Sequence, residues 1–177
     1  MTNLINLITI IRIMLAPVIL FFLMTGNFLM CTLLFFIAGV TDYLDGHLAR
    51  KYNAESQLGE ILDPIADKVL IVFILFGLSV ALDSFLIALL SSLIIAREIG
   101  VAALRDYSAR NNISDRTKVT FLAKTKTAVQ LFTIGSYLLA MTLNLNLLIV
   151  VSDILLMIAT LITIYTGYQY ALKVSQK

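Results

Sequence analysis

Residues 13–49, IMLAPVILFFLMTGNFLMCTLLFFIAGVTDYLDGHLA, contain neither Lys nor Arg. A membrane crossing takes about 20 residues, so the run is long enough for two. Thr25-Gly26-Asn27 near its midpoint supplies turn-forming residues, and the stretch reads as a helical hairpin. Two further stretches lack Lys and Arg, residues 69–96 and 127–172, with turn-like midpoints at Asp83-Ser84 and at Asn144 to Asn146. Three hairpins place spans at 4–24, 28–50, 58–82, 84–106, 119–142 and 147–170. All 13 Lys and Arg then fall on one side, which the positive-inside rule makes cytoplasmic. The expectation is an all-α polytopic membrane protein: a bundle of six transmembrane helices, both termini cytoplasmic, forming one domain over residues 1–177.

Composition agrees with this reading. Of 177 residues, 60% are hydrophobic and 14% charged, with a mean hydropathy of +0.96, against about 45–50% and 25% in a soluble domain. Six spans leave no room for a soluble catalytic domain, so any chemistry belongs to the membrane. A net charge of +2 excludes a nucleic-acid surface. Cys31 has no second cysteine to pair with and reads as a small buried hydrophobe. Arg12 interrupts the first apolar run, where a signal peptide would be unbroken, so that span is expected to stay uncleaved.

Ionisable groups inside a span cost about 2.5–3.5 kcal/mol each at mid-membrane on insertion scales. Asp42 and Asp45 close the second span three residues apart, and Asp63 and Asp67 open the third four residues apart. Either spacing puts a pair on one helical face. Facing pairs would repel unless cations entered, and hard oxygen donors point to two divalent ions, magnesium or manganese. The plainer alternative is helix capping, with Asp63 as N-cap and Pro64 at the first helical position. Between the pairs, Gly46, Ala49 and Gly59 are small enough for a ligand to approach the backbone, though small residues also serve helix packing. Arg50 suits a diphosphate, or a plain cytoplasmic anchor.

From Asp42 to Asp67 the chain reads D-x2-D-G-x2-A-R-x8-G-x3-D-x3-D, which resembles the signature of the CDP-alcohol phosphotransferases, a six-helix membrane family. The resemblance implies transfer of a phosphatidyl or similar group from a CDP-linked donor to an alcohol, with release of CMP, at a two-metal site. It makes Asp42, Asp45, Asp63 and Asp67 metal ligands, Asp67 also the general base, and Gly46, Ala49, Arg50 and Gly59 the lining of the CDP site. It further implies a homodimer in a bacterial cytoplasmic membrane. A site at the inner mouth lets a water-soluble alcohol meet a lipid donor whose chains stay in the bilayer, a placement that follows from the charge map alone.

A second constellation lies on the fourth and fifth helices: Ile95-Ala96-Arg97-Glu98-Ile99, Leu104-Arg105 and Ala123-Lys124-Thr125-Lys126-Thr127. Arg97 and Arg105, eight residues apart, sit about 80° apart around a helix and can reach one cavity. With Lys124 and Lys126 they make a basic pocket suited to an acceptor that carries a phosphate; the alternative is attraction to anionic lipid heads. The pattern is similar to the branch of the family that joins CDP-diacylglycerol to glycerol 3-phosphate, giving phosphatidylglycerophosphate. There an R-E-(I/F) segment, an L-R and a G-K-x-K-T segment bind the acceptor, which would include Thr127. Ala123 stands here where that last motif has Gly. Asn6, Thr9 and Arg12 match the branch's N-x-P-N-x-(L/I)-T-x-x-R opening, with Ile5 in place of Pro. Glu98 reads as holding Arg97, and Arg110, Arg116 and Lys118 as lipid-head anchors. Asp83 and Asp153 read as solvated or capping groups near the outer face. Other acceptors (inositol phosphate, phosphatidylglycerol, serine) and, more remotely, a divalent-cation transporter compete with this reading. The nearly apolar outer halves of the hairpins weigh against a conduction path.

Overall fold

The computed structural model describes residues 2–51, 57–111 and 121–175. Six helices follow one another: α1 (Thr2–Met24), α2 (Phe28–Lys51), α3 (Gln57–Ala81), α4 (Phe85–Arg110), α5 (Phe121–Leu143) and α6 (Asn146–Ser175). Among the described residues there are no strands. The three hairpins fall where the Lys- and Arg-free stretches place them.

Each hairpin turn uses the same device. Gly26, Asp83 and Asn144 adopt positive φ of 76°, 45° and 54°. At each, the following N–H reaches back five residues: Asn27 N to Phe22 O at 3.0 Å, Ser84 N to Ser79 O at 3.1 Å and Leu145 N to Ala140 O at 2.9 Å. These are Schellman-type stops, which satisfy carbonyls left over at a helix end. Next, Asn27 Oδ1 accepts from Met30 N and Ser84 Oγ from Ile87 N, both at 3.3 Å, capping α2 and α4. Asp83 thus earns its place through its backbone, at an exposed turn.

In space the helices form a closed ring in the order α1, α3, α4, α6, α5, α2, with α3 also touching α5 across the middle. The broadest contact joins α1 to α3. On α1 the buried stripe Thr9, Arg12, Ala16, Ile19, Leu23 alternates three- and four-residue steps. It meets a stripe on α3 containing Leu70, Ile74 and Leu78, all nearly inaccessible. At Gly77 the two helices approach so closely that a Cβ would lie 2.5 Å from Leu23 Cδ2 and 2.8 Å from Leu20 Cδ1.

The α5–α6 seam is instead polar. Ser136 and Ser152 hydroxyls lie 2.6 Å apart, Gln130 Nε2 donates to Thr163 Oγ1 at 3.0 Å, and Tyr137 Oη donates to Asp153 Oδ1 at 2.5 Å. Asp153 is therefore not simply solvated: it is the partner of a fully buried tyrosine. Thr32 of α2 joins the seam through Thr142 Oγ1 at 2.8 Å. Large apolar side chains face outward in compensation, among them Phe21, Phe76, Phe132 and Leu161, each more than half exposed. Polar inside and apolar outside is the arrangement a lipid solvent selects.

Among the described residues four helices are long and apolar enough to cross a membrane, Asn6–Met24, Ile61–Ala81, Phe85–Arg110 and Asn146–Val174, and α2 adds the apolar stretch Phe28–Asp42. The six helices expected are the six observed. The capping reading of Asp63 falls. α3 begins at Gln57, so Asp63 and Pro64 lie inside the helix, and Asp63 is available for other work. Cys31 is fully buried, as its apolar setting suggested.

Replacing Gly77 by Leu is expected to force α1 away from α3 and lower the thermal midpoint in detergent, an overpacking cost of about 1–3 kcal/mol. Gly39→Leu, where a Cβ meets nothing within 4 Å, should leave the midpoint unchanged.

Candidate active site

The core stripes of α1 and α3 end, toward the basic side of the bundle, in polar residues. Asp63 and Asp67 continue the face of α3 that below them carries Leu70, Ile74 and Leu78. Thr9 and Arg12 do the same for α1, and the two sets meet. Arg12 Nη1 lies 2.5 Å from Asp42 Oδ1 of α2 and 3.5 Å from Asp67 Oδ1 of α3. Thr9 Oγ1 donates to Asp63 Oδ1 at 3.0 Å. The Arg12 side chain is 1% exposed, while Asp42 and Asp67 are 45% and 46% exposed. A fixed cation is thus sealed behind carboxylates that still reach water. Buried so deeply, Arg12 is tolerable only because of those carboxylates.

Three of the four predicted aspartates are therefore gathered at the inner end of α1. Asp45, Gly46, Ala49 and Arg50 continue α2, and their side chains lie outside the described residues, as does that of Lys124 on α5. Gly59 is buried on α3. Among the described residues no group of three His, Cys, Asp or Glu side chains is spaced to hold a metal ion. What the geometry does show is oxygens from α2 and α3 converging on one cationic nitrogen. Carboxylate oxygens are the donors a hard divalent cation takes, and here Arg12 stands between two of them.

Beside Asp67 opens a cavity of about 430 Å³ among α3, α4 and α5. Pro64, Asp67 and Lys68 line it from α3, Arg97, Glu98 and Arg105 from α4, and Lys126, Thr127 and Gln130 from α5. The second constellation and the acidic cluster thus share one space. Arg97 and Lys126 are almost fully enclosed, with side chains 9% and 8% exposed. They are held together by Glu98, whose Oε1 accepts from Arg97 Nη1 at 3.1 Å and also from Lys126 Nζ. Glu98 holds Arg97, as its position beside it suggested, and bridges to the next helix as well. At the rim, Arg110 pairs with Asp106 at 2.9 Å in an exposed i,i+4 ion pair. Arg116 and Lys118 lie outside the described residues.

Sequence reasoning left two features out of the site. Arg12 was read as part of a motif but not as a partner of the aspartates. The signal was present: an arginine within an apolar run requires a buried counter-charge. The other is α6, whose Thr166 Oγ1 accepts from Arg97 Nη2 at 2.8 Å and whose Tyr170 Oη accepts from Arg105 Nη2 at 3.1 Å. Its hydroxyls at 163, 166 and 170 form a polar stripe on one face of the helix.

Comparison with known proteins agrees with this architecture. A family model described as CDP-alcohol phosphatidyltransferase matches residues 2–165. A Rickettsia bellii protein named CDP-diacylglycerol–glycerol-3-phosphate 3-phosphatidyltransferase is 41% identical over 172 residues, covering 95% of this chain and 93% of its own. A Haemophilus influenzae protein of the same name is 38% identical over 166 residues, covering 92% and 88%. An Escherichia coli K12 protein, again so named, is 36% identical over 132 residues, covering 73% and 72%.

Glu98→Gln would leave two enclosed cations side by side without their carboxylate. It is expected to lower stability by about 2–3 kcal/mol, and adding Lys126→Met should restore part of the loss. Thermal unfolding of both variants in detergent checks this; a double variant no more stable than the single would mean that Glu98 is not the bridge.

Proposed function

The chain belongs to the CDP-alcohol phosphatidyltransferase family, which generally uses divalent metal ions, and we infer that it transfers a phosphatidyl group from CDP-diacylglycerol to glycerol 3-phosphate. The products are phosphatidylglycerophosphate and CMP. The observation that carries this reading is the shared cavity, which exposes Asp67 on one wall and Arg97, Arg105, Lys126 and Thr127 on the others. A carboxylate beside a cluster of enclosed cations fits a reaction in which the acceptor must be both deprotonated and held by a phosphate. The names of the relatives supply the donor and the acceptor.

In this reading Asp42, Asp45, Asp63 and Asp67 hold two magnesium or manganese ions. Such a pair supplies charge stabilisation for both attacking and leaving oxygens of an in-line displacement. The acceptor hydroxyl oxygen attacks the phosphorus that bears the diacylglycerol, its proton passes to an Asp67 carboxylate oxygen, and the bond from that phosphorus to the CMP oxygen breaks. Gly46, Ala49, Arg50 and Gly59 line the CDP site. Arg97, Arg105, Lys124, Lys126 and Thr127 bind the acceptor phosphate and exclude acceptors that lack one. Arg12 keeps Asp42 and Asp67 oriented toward each other. The site opens to the cytoplasm of a bacterial inner membrane, and the enzyme works as a homodimer. On the far side the bundle is closed by Ile74, Leu75, Leu78 and Tyr137, all essentially inaccessible, which supports a reaction chamber over an ion path.

Purified protein in detergent with CDP-diacylglycerol and magnesium is expected to release CMP when glycerol 3-phosphate is present. It should not do so with serine, inositol phosphate or phosphatidylglycerol in its place, nor after chelation of the metal. Asp67→Asn should lower kcat by about 10²–10⁴, the usual worth of a general base. Arg105→Ala should raise the KM for glycerol 3-phosphate by about tenfold or more, as loss of a charged hydrogen bond does, and leave the donor KM alone. CMP release driven by serine would keep the chemistry and overturn the pocket assignment, and release driven by inositol phosphate would keep the pocket and change the acceptor.

A further inference from the structure

Helices α4 and α6 run parallel, both descending from an outer turn to the basic end. Their contacts are nevertheless unequal in step. Arg97 meets Thr166 and Arg105 meets Tyr170, so eight residues on α4 answer to four on α6. Eight residues of helix rise about 12 Å and four about 6 Å. The long side chains of Arg105 and Tyr170 span the difference. Two arginines two turns apart on α4 thus meet residues one turn apart in sequence on α6.

The contacts on α6 are specific. Thr166 Oγ1 lies 2.9 Å from Ile162 O and 3.0 Å from Thr163 O. Its one proton goes to the backbone, which leaves a lone pair for Arg97. Gly167 lets Arg97 lie flat on α6: a Cβ there would fall 2.8 Å from Arg97 Cγ and 3.0 Å from Nε. That Nε is buried and has no hydrogen-bond partner, so the close approach is kept at the expense of a donor. Arg105 Cζ stands 5.1 Å from the centroid of the Tyr170 ring while Nη2 bonds the hydroxyl, so ring and hydroxyl together fix it. Thr163, one turn earlier on the same face, is tied to Gln130 of the cavity wall.

We propose that Thr166, Gly167 and Tyr170 of α6 are positioning residues that set acceptor specificity by fixing where the Arg97 and Arg105 guanidinium groups stand in the cavity wall. This rests on the assignment of those arginines to the acceptor phosphate. The three α6 residues touch neither reactant and act only through the arginines.

The test uses the purified full chain in detergent and compares Gly167→Ala, Thr166→Val, Tyr170→Leu and the milder Tyr170→Phe, with Arg105→Ala alongside. The readouts are kcat, KM for glycerol 3-phosphate, KM for CDP-diacylglycerol, and the preference for glycerol 3-phosphate over unphosphorylated glycerol. Gly167→Ala, Thr166→Val and Tyr170→Leu are expected to raise the acceptor KM by about tenfold, the loss of one well-placed contact, and to erode the preference by a similar factor. The donor KM should stay put. Tyr170→Phe should show a smaller rise than Tyr170→Leu because it keeps the ring, and Thr166→Ser should recover the wild-type acceptor KM. An unchanged acceptor KM in the α6 variants, with a raised one in Arg105→Ala, overturns the proposal and spares the pocket. A fall in kcat and stability together, with the preference intact, also overturns it, because α6 would then be only scaffold. An unchanged acceptor KM in Arg105→Ala itself removes the assignment on which the proposal stands.

Discussion

The hydrocarbon interior offers no water, so every polar group at depth needs a partner within the protein. That constraint arranges the whole bundle. Serine, threonine, glutamine and tyrosine side chains turn inward and zip α5 to α6 and α2 to α5. Leucine and isoleucine fill the core between α1 and α3, and others, with phenylalanines such as Phe21, Phe76 and Phe132, turn out to the lipid. Carried to the basic end, the same constraint produces the site. Arg12 is sealed at 1% exposure and meets Asp42 and Asp67, so the carboxylates are held in place by the need to neutralise it. A buried ion pair of this kind adds little net stability but strongly penalises any other arrangement of its members.

The acidic and basic halves are built on opposite principles. In the acidic half one enclosed cation, Arg12, serves two half-exposed carboxylates, Asp42 and Asp67, which still reach water. In the basic half one carboxylate, Glu98, serves two enclosed cations, Arg97 and Lys126. Each half therefore carries a surplus of its own sign into a common cavity. A reaction joining a metal-bound diphosphate to a phosphate-bearing alcohol needs such a division, because both substrates are anionic and would otherwise repel.

The positions of Lys and Arg laid out the hairpins, and the three turns fall where the sequence puts them because Gly26, Asp83 and Asn144 are residues that accept a left-handed backbone. The clustering of Asp67 with Arg97, Arg105, Lys126 and Thr127 was also legible, since charges at spacings of three, four and eight residues must be aimed at something. The start of α3 was legible too: the span expected from residue 58 begins at Gln57, so Asp63-Pro64, despite its local signal for a helix N-terminus, lies inside the helix, with Thr9 the partner of Asp63. The role of α6 was not, because Thr166, Gly167 and Tyr170 are uncharged and derive their meaning only from which helix stands opposite. The ring order that sets α6 behind α4 is a property of the fold that no local spacing encodes.

That ring order bears on how the protein comes into being. The broadest contact, α1 with α3, and the α1–α2 contact need nothing synthesised after residue 81. Chains emerge N-terminus first, so a nascent polypeptide holding only its first three helices can already bring Asp42, Asp63 and Asp67 around Arg12. Helices α4, α5 and α6 arrive afterwards, and with them every cation that faces the cavity except Lys68. The ion pairs of Arg12 with Asp42 and Asp67 therefore both lie within the first three helices, so this counter-charge is encoded ahead of the basic wall of the cavity.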